Sequence, residues 1–324
     1  MLGAIIGDIA GSRWEFDPTN DYNFEWLSKE NSFTDDTICT IAVADALLHN
    51  RDFGESIHDW CNRYPHPKGG YGGRFVEWIF SDNPTPYNSY GNGAAMRVSP
   101  VAHWYEDEFQ VLDAAAATAI PTHNHDEGVK GAQTVALAIF KAMEFNRYHY
   151  QEAALHIDEI IKECVDFSGY DIDMPKSSVL NKFDETCQGT VPVALKIISM
   201  STCFEDALRL AVSLGADADT LGAIVGSIAE SIWGIPLSIR SGIRDYLPEE
   251  MELILMQFHS ARPRSYKPLI YTTYAGDDFS DVSWDVLCDL DGKDACEALK
   301  LKAHKEKALK RLMMDKRAKA REEW

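Results

Sequence analysis

Residues 215–233 read GADADTLGAIVGSIAESIW, a cluster of acids followed directly by a long apolar segment. Within 221–233 the apolar residues recur at the spacing of one face of a helix. Asp217, Asp219 and Thr220 occupy the turn just before that segment, where the helix would begin. The stretch therefore predicts an apolar helix whose first turn carries two carboxylates and a hydroxyl.

The same helical spacing extends through most of the chain, and alternating strand-like runs are nearly absent. Connections containing Gly and Pro separate the apolar segments, for example at 64–73 and 81–93. We therefore predict an all-α fold, a compact bundle of many helices. The other apolar segments lie at 38–48, 111–120, 129–145, 153–165, 191–198 and 207–214.

The chain shows no low-complexity linker, and we predict one domain over residues 1–262 with an extension over residues 263–324. The extension begins rich in Tyr and Pro and ends, over 299–324, rich in Ala, Lys and Arg. Strong helix formers with a weak apolar stripe predict a basic surface helix. Such a helix either lies against the acidic body or holds an acidic partner.

Composition excludes several classes of function. The formal net charge of -20 opposes binding to nucleic-acid phosphates, whose affinity depends on Lys and Arg. The seven cysteines are odd in number and form no CxxC pair, which disfavours a disulfide framework and a zinc site and favours a reducing cytoplasm. Asp8 and Arg13 interrupt the apolar start of the chain too early for a membrane segment.

A second acidic turn resembles the first. Thr34, Asp35 and Asp36 come directly before the apolar segment at 38–48. Either turn alone would be an ordinary helix cap, because Thr and Asp belong at helix starts. Two such turns in one chain are harder to explain as caps. Their hard oxygen atoms are the ligands that Mg²⁺ prefers, and doubled carboxylates would offset the unfavourable end of the helix dipole.

Five motifs together resemble the ADP-ribosylglycohydrolase family. They run in order from about residue 1 to residue 236, and their joint presence is highly specific. The motifs are Gly7-Asp8 with Gly11-Ser12 and Glu15, then Thr34-Asp35-Asp36, the run SYGNGAAMR at 89–97, THNH at 122–125, and DADT at 217–220.

The resemblance implies a compact multi-helix hydrolase with two Mg²⁺ ions, or Mn²⁺, held where helix N-termini converge. One end of the metal site would be formed by Thr34, Asp35 and Asp36, and the other by Asp217, Asp219 and Thr220. Glu15 matches a glutamate that closes over the metals and the scissile ribose. The family usually has Gly, Ser or Thr where this chain has Ala216 and Ala218, so a hydroxyl that could support the ligands is lost at Ala218.

The run at 88–93 suits a diphosphate, because glycine permits positive φ and presents no Cβ. By itself the run could equally be a turn that enters a helix at 94–102. The resemblance implies substrate contacts from six residues. Ser89, Gly91 and Gly93 would lie near the diphosphate, Tyr90 would stack on the ribose or base, Asn92 would assist the ribose, and His123 would contact ADP-ribose.

His123 and His125 are poor candidates for metal ligands, because imidazole is softer than this oxygen cluster requires. The expected reaction is cleavage of the N- or O-glycosidic bond between ADP-ribose and an acceptor. Glu15 would handle the proton or position the leaving group, and Asp35 or Asp36 would aid the attacking water as catalytic residues.

Two rival functions stay open at this point, a two-metal phosphoesterase and a non-catalytic ADP-ribose-binding relative. The acceptor also stays open, since arginine, serine, a nucleic-acid base or a small molecule all fit. The expected partner is an ADP-ribosylated protein or small molecule, with no membrane, and with nucleic acid only as an ADP-ribosylated substrate.

Overall fold

The computed structural model describes residues 1–147, 152–262 and 293–324, with the side chains of the last range described from residue 308. All regular structure in this described part is helical, which confirms the all-α prediction. The α-helices are α1 Leu2–Gly11, α2 Asp35–His49, α3 Phe53–Arg63, α4 Gly73–Ile79, α5 Gly93–Met96, α6 Ser99–Trp104, α7 Glu108–Ala119, α8 Asp126–Asn146, α9 Ile157–Ser168, α10 Cys187–Met200, α11 Phe204–Val212, α12 Ala218–Trp233, α13 Leu237–Gly242, α14 Glu249–Ala261 and α15 Lys293–Glu323.

Six of the helices begin where a side chain accepts a hydrogen bond from an unpaired backbone N–H of the first turn. Asp52 does so for α3 and Asp107 for α7, each accepting from the N–H three residues later. Thr186 does the same for α10, and Thr34 accepts from the N–H of Asp36 at the start of α2. These caps satisfy donors that the helix itself cannot pair, and they fix the helix starts locally.

Several segments differ from the prediction, and four helices, α3, α4, α13 and α14, lie outside the apolar segments identified in the sequence. The apolar segment at 153–165 is broken, because a 3₁₀ turn at Glu152–Leu155 ends before α9 begins at Ile157. Helix α1 was not predicted, since its three glycines are weak helix formers. Tertiary packing compensates for that weakness, because nine of the ten residues of α1 are buried.

The glycines of α1 allow it to cross α12 at very short range. A Cβ added to Gly7 would lie 1.9 Å from the carbonyl oxygen of Gly222, and Gly3 meets Gly226 in the same way. Gly11 lies against Ala218, so the two helices run antiparallel. Every residue of α12 except Glu230 is buried. The crossing therefore brings the C-terminal end of α1 to the N-terminal end of the central helix.

The C-terminal helix α15 lies against the body of the protein, the first of the two alternatives. Arg317 is buried and donates to the carbonyl oxygen of Ala154 at 3.0 Å. Lys316 and Arg321 pair with Asp158 and Asp206 on the body, at 2.6 and 2.9 Å. Residues 263–292 lie outside the described part, so the domain boundary at residue 262 stays a prediction.

Nothing among the described helices is both long enough and apolar enough to cross a membrane. The predicted cytoplasmic location stays a prediction.

Candidate active site

Asp8, at the end of α1, joins that helix to the start of α2. Its carboxylate is fully buried and accepts from the backbone N–H groups of Thr34 and Thr37, at 3.0 and 3.1 Å. The Thr34 hydroxyl donates to it at 2.8 Å, and the Thr37 hydroxyl donates as well. Sequence reasoning placed Asp8 in a motif without giving it a role at the site. The available signal was an acid inside an apolar run, since a buried carboxylate requires partners.

The N-terminal ends of α2 and α12 meet, as predicted from the two acidic turns. The Thr220 hydroxyl donates to Asp36 Oδ2 at 3.1 Å across the two helices. The Thr34 hydroxyl lies 3.4 Å from the same oxygen. Asp219 accepts from the backbone N–H of Thr220 at 2.9 Å. The structure thus brings together residues separated by 184 positions in the chain.

Asn92 is part of this cluster. Its side-chain amide donates to Asp217 Oδ2 at 2.7 Å and to Thr190 Oγ1 at 3.1 Å, and the residue is buried. The resemblance implied a contact to the substrate ribose. In this structure the amide holds a carboxylate of the cluster, and a contact to the ribose stays a prediction.

Glu15 lies half-buried beyond the end of α1, under the loop that precedes α4. Gly69 in that loop has φ of 79°, and a Cβ there would lie 2.5 Å from Glu15 Oε2. Position 69 therefore requires glycine for two reasons, the positive φ and the close approach of Glu15. Burial raises the pKa of Glu15 to about 8, with the charges of Asp219 and Asp8 adding to the effect.

Four other carboxyl groups of the cluster have a raised pKa as well. Burial, followed by the charge of Asp219, raises the pKa of Asp8 to about 7. Burial also raises the pKa of Asp36 and Asp217 well above the ordinary range, again with Asp219 as the next cause. Burial is also the largest cause that raises the pKa of Asp35, followed by the charges of Cys39 and of Asp219. Like charges collected in a buried space resist ionisation unless a cation compensates them.

The donor set fits a hard divalent cation. Among the described residues Asp36 Oδ1 is buried without a hydrogen-bond partner, and so is Glu15 Oε2. Within the same part of the chain, no three His, Cys, Asp or Glu side chains are already arranged as a metal site. An ion would therefore draw part of its shell from the hydroxyls of Thr34 and Thr220 and from water, which Mg²⁺ retains readily.

The loop at 88–93 is fixed to the start of α10. The backbone N–H of Asn92 donates to the carbonyl oxygen of Glu185 at 2.7 Å, and that of Cys187 donates to Tyr90 at 2.9 Å. The expectation that Gly91 or Gly93 uses positive φ is wrong, because in this loop Asn88 has that conformation, at 57°. Gly91 and Gly93 instead leave room for a neighbouring side chain, which a Cβ at either position would crowd.

His123 is the neighbour that fills this space. Its Nε2 atom lies 3.2 and 3.1 Å from the positions where a Cβ on Gly91 and on Gly93 would be. Arg97, fully buried, donates to Thr122 Oγ1 at 2.7 Å, and that oxygen lies 2.6 Å from His123 Nδ1. We infer that the Thr122 hydroxyl, which accepts from Arg97, donates its own proton to Nδ1, so that Nε2 carries the ring hydrogen.

The charge state of His123 agrees with this assignment. Burial and the Arg97 guanidinium lower the pKa of His123 well below its usual range. The ring is therefore neutral at physiological pH and presents an N–H donor beside the two glycines. A neutral donor at this position can bind a substrate oxygen.

Three more residues of the predicted motifs have defined places. Ser89 Oγ accepts from the Gly91 N–H at 3.1 Å, which shapes the loop. Tyr90 is 47% exposed, and its ring lies 5.3 Å from that of His125, so one face is open for stacking. His125 accepts from the N–H of Glu127 and caps α8.

The chain was compared with known proteins. Residues 1–267 match the family model described as ADP-ribosylglycohydrolase. ADP-ribosylhydrolase ARH3 of Bos taurus is 25% identical, over 82% of this chain and 92% of the relative, and the Homo sapiens protein is 25% identical, over 82% and 93%. The uncharacterized protein YegU of Escherichia coli is 27% identical, over 72% and 86%.

A solved structure named ADP-ribosylglycohydrolase-related protein complex aligns with a TM-score of 0.60 and 25% identity, over 80% of this chain and 95% of its own. The fold, the acidic centre and the match of the family model over most of the chain lead to one conclusion. The chain belongs to the ADP-ribosylglycohydrolase family.

Proposed function

We propose that this protein hydrolyses the glycosidic bond between ADP-ribose and an acceptor, with Mg²⁺ or Mn²⁺ as cofactor. The observation that carries the proposal is the contact between Thr220 and Asp36 at 3.1 Å, which unites two acidic helix starts. A structural helix cap would not require such a contact, and it places hard oxygen atoms of both turns in one space. The two curated ARH3 relatives support the same reaction class by their names.

The substrate would bind with its diphosphate along the loop at 88–93. His123 Nε2–H and the backbone beside Gly91 and Gly93 supply neutral donors there, and the open face of Tyr90 suits a ribose or base. This loop meets the acidic cluster through Asn92, which holds Asp217. A bound ADP-ribose would therefore extend from the loop into the cluster with its distal ribose among the carboxylates.

The ions, when bound, would orient the ribose hydroxyls and lower the pKa of a water molecule. Thr34, Asp35 and Asp36 would hold them on one side, and Asp217, Asp219 and Thr220 on the other. Glu15 would act as the acid, since in the protein without metal burial and the nearby acids raise its pKa to about 8. It can thus protonate the leaving group at C1″, while Asp35 or Asp36 accepts a proton from the attacking water.

The test is release of free ADP-ribose from a panel of ADP-ribosylated arginine, serine and DNA and of O-acetyl-ADP-ribose, with Mg²⁺ and with EDTA. We expect release from at least one substrate and its loss in EDTA. Asp36→Asn should lose activity by a factor of roughly 10² or more, as for a group that acts directly on the reaction. Asp113→Asn, an exposed acid on α7, is the matched control and should keep the parent rate.

Other products would contradict the proposal. Release of AMP or inorganic phosphate in place of ADP-ribose indicates a phosphoesterase. Tight binding of ADP-ribose without turnover of any substrate indicates a non-catalytic binding protein. Equal activity of the two Asn variants would remove the acidic cluster from the reaction.

A further inference from the structure

A cavity of about 750 Å³ lies at the other end of the α1–α12 crossing. Its lining includes Leu2 of α1 and Glu230 and Ser231 of α12, whereas the acidic cluster lies at the opposite ends of these helices. Leu2 and Asp8 are separated by about 9 Å along α1, at the rise of about 1.5 Å per residue of an α-helix. None of the predicted site residues lines this cavity, so it is a second concave site.

The charge of the cavity is opposite to that of the protein. The chain carries 51 acidic and 31 basic residues, yet the lining contains four arginines and two glutamates. Of the two glutamates, Glu230 pairs with the Met1 amino group at 2.6 Å and Glu252 pairs with Arg244 at 3.9 Å, while Arg147 pairs with Glu106 at 4.0 Å. The arginines are Arg147, Arg240, Arg244 and Arg262.

Two observations show that this positive charge is concentrated in one space. Burial lowers the pKa of His259, and the charges of Arg262 and Arg240 lower it further. Burial also lowers the pKa of His103, with Arg262 among the further causes. In the described part of the chain the Arg262 side chain makes no hydrogen bond and no ion pair, and His103 Nδ1 is buried without a partner.

The rest of the lining is apolar. It includes Leu2, Met143, Ile235, Leu247, Leu255 and Phe258. A volume of this size is typical of sites for small molecules, which combine apolar walls with a few convergent polar groups. A free phosphate ion would leave most of the apolar wall in contact with water. Guanidinium groups prefer carboxylate or phosphate, which they bind through paired hydrogen bonds.

We propose that this cavity binds a small amphiphile in which an oxyanion, carboxylate or phosphate, is joined to an apolar chain. Arg262 would hold the oxyanion, and the apolar wall would cover the apolar chain of the ligand. This site is separate from the proposed hydrolase reaction, and binding to it can be measured without any ADP-ribosylated substrate.

The probe is decanoate, titrated into the full chain by isothermal titration calorimetry, with decyl phosphate as the second head group. We expect one molecule bound per chain with a Kd of roughly 10 to 100 µM for at least one of the two, a range that fits the usual affinity per atom of small ligands. Decanol and decyltrimethylammonium, with the same chain and no negative charge, should bind at least tenfold more weakly.

Arg262→Gln is the informative variant, because the side chain lines the cavity and supports no other described contact. It should weaken binding of the decyl anion at least tenfold, while Lys162→Gln, a change of the same charge at an exposed site on α9, should leave the Kd unchanged. The melting temperature of each variant establishes that it is folded. Equal binding of decanol and decanoate, unchanged binding in Arg262→Gln, or no binding of either anion would overturn the proposal.

Discussion

The surroundings of Glu15 suit proton transfer, and its side chain contributes little to the stability of the fold. Its carboxyl group is half-buried, its pKa is raised to about 8, and in the described structure Oε2 has no hydrogen-bond partner. We expect Glu15→Gln to lower the rate of ADP-ribose release by a factor of roughly 10² to 10⁴, as for a lost proton-transfer group. The melting temperature should hardly change. A variant that melts normally and stays within about threefold of the parent rate would remove Glu15 from the mechanism.

Thr122 is a positioning residue at the same scale, because it connects Arg97 to His123. Thr122→Val removes the hydroxyl that places the ring hydrogen on Nε2, so we expect a KM for the ADP-ribosylated substrate raised about tenfold or more. Thr122→Ser keeps the hydroxyl and should restore the parent KM. The two variants are compared by steady-state kinetics. A parent-like KM in Thr122→Val together with a raised KM in Thr122→Ser would show that the methyl group, and not the hydrogen bond, is what matters.

At the scale of elements, the α1–α12 crossing positions the acidic cluster. A methyl group on Gly7 would lie 1.9 Å from the backbone oxygen of Gly222, and backbone cannot move aside as a side chain can. We expect Gly7→Ala to lower the free energy of unfolding by about 2–4 kcal/mol, as for overpacking in a core, and to lower activity by displacing Asp8.

The matched control for this element is Gly73→Ala at the start of α4, where an added Cβ would meet nothing within 4 Å. It should be neutral or stabilise the protein by up to about 1 kcal/mol, because alanine favours helix. Urea unfolding of both variants gives the comparison. Equal stability of the two would show that α1 can shift freely along α12, and that the glycines do not hold the site together.

At the scale of the whole molecule, the buried acids couple stability to pH and to metal. The pKa values of Asp8 and Glu15 are raised to about 7 and about 8, so the folded protein binds more protons than the unfolded chain between about pH 4 and 8. Without metal, stability should therefore be greatest at the acidic end of this range and fall as pH rises through it.

Divalent cations should reverse this trend, because they replace protons on the same oxygen atoms. We expect millimolar Mg²⁺ or Mn²⁺ to raise the melting temperature more at pH 8 than at pH 5.5, measured against EDTA. Asp113→Asn should respond like the parent, and Asp36→Asn should respond less. If neither ion changes the melting temperature at either pH value, the metal proposal is contradicted.

The sequence by itself determined the helical class and located six of the helices, because helical periodicity is a local property of about 10 to 20 residues. These helices are α2, α7, α8, α10, α11 and α12. The sequence also identified the two acidic turns, each a few residues long. It failed for α1, whose glycines look unfavourable for a helix until a partner helix covers them. Local propensity cannot register a contact that is made more than 200 positions away.

Only the tertiary structure decided how the site is assembled. In the folded protein Asp8 accepts a hydrogen bond from the start of α2, and Asn92 donates to Asp217. Gly69 lies so close to Glu15 that a Cβ would not fit between them. Each of these depends on the antiparallel crossing of α1 and α12 or on the loop packed above it. The residue types in a motif thus indicate which chemistry is available, whereas their partners are set by close packing between distant segments, which no local pattern in the sequence encodes.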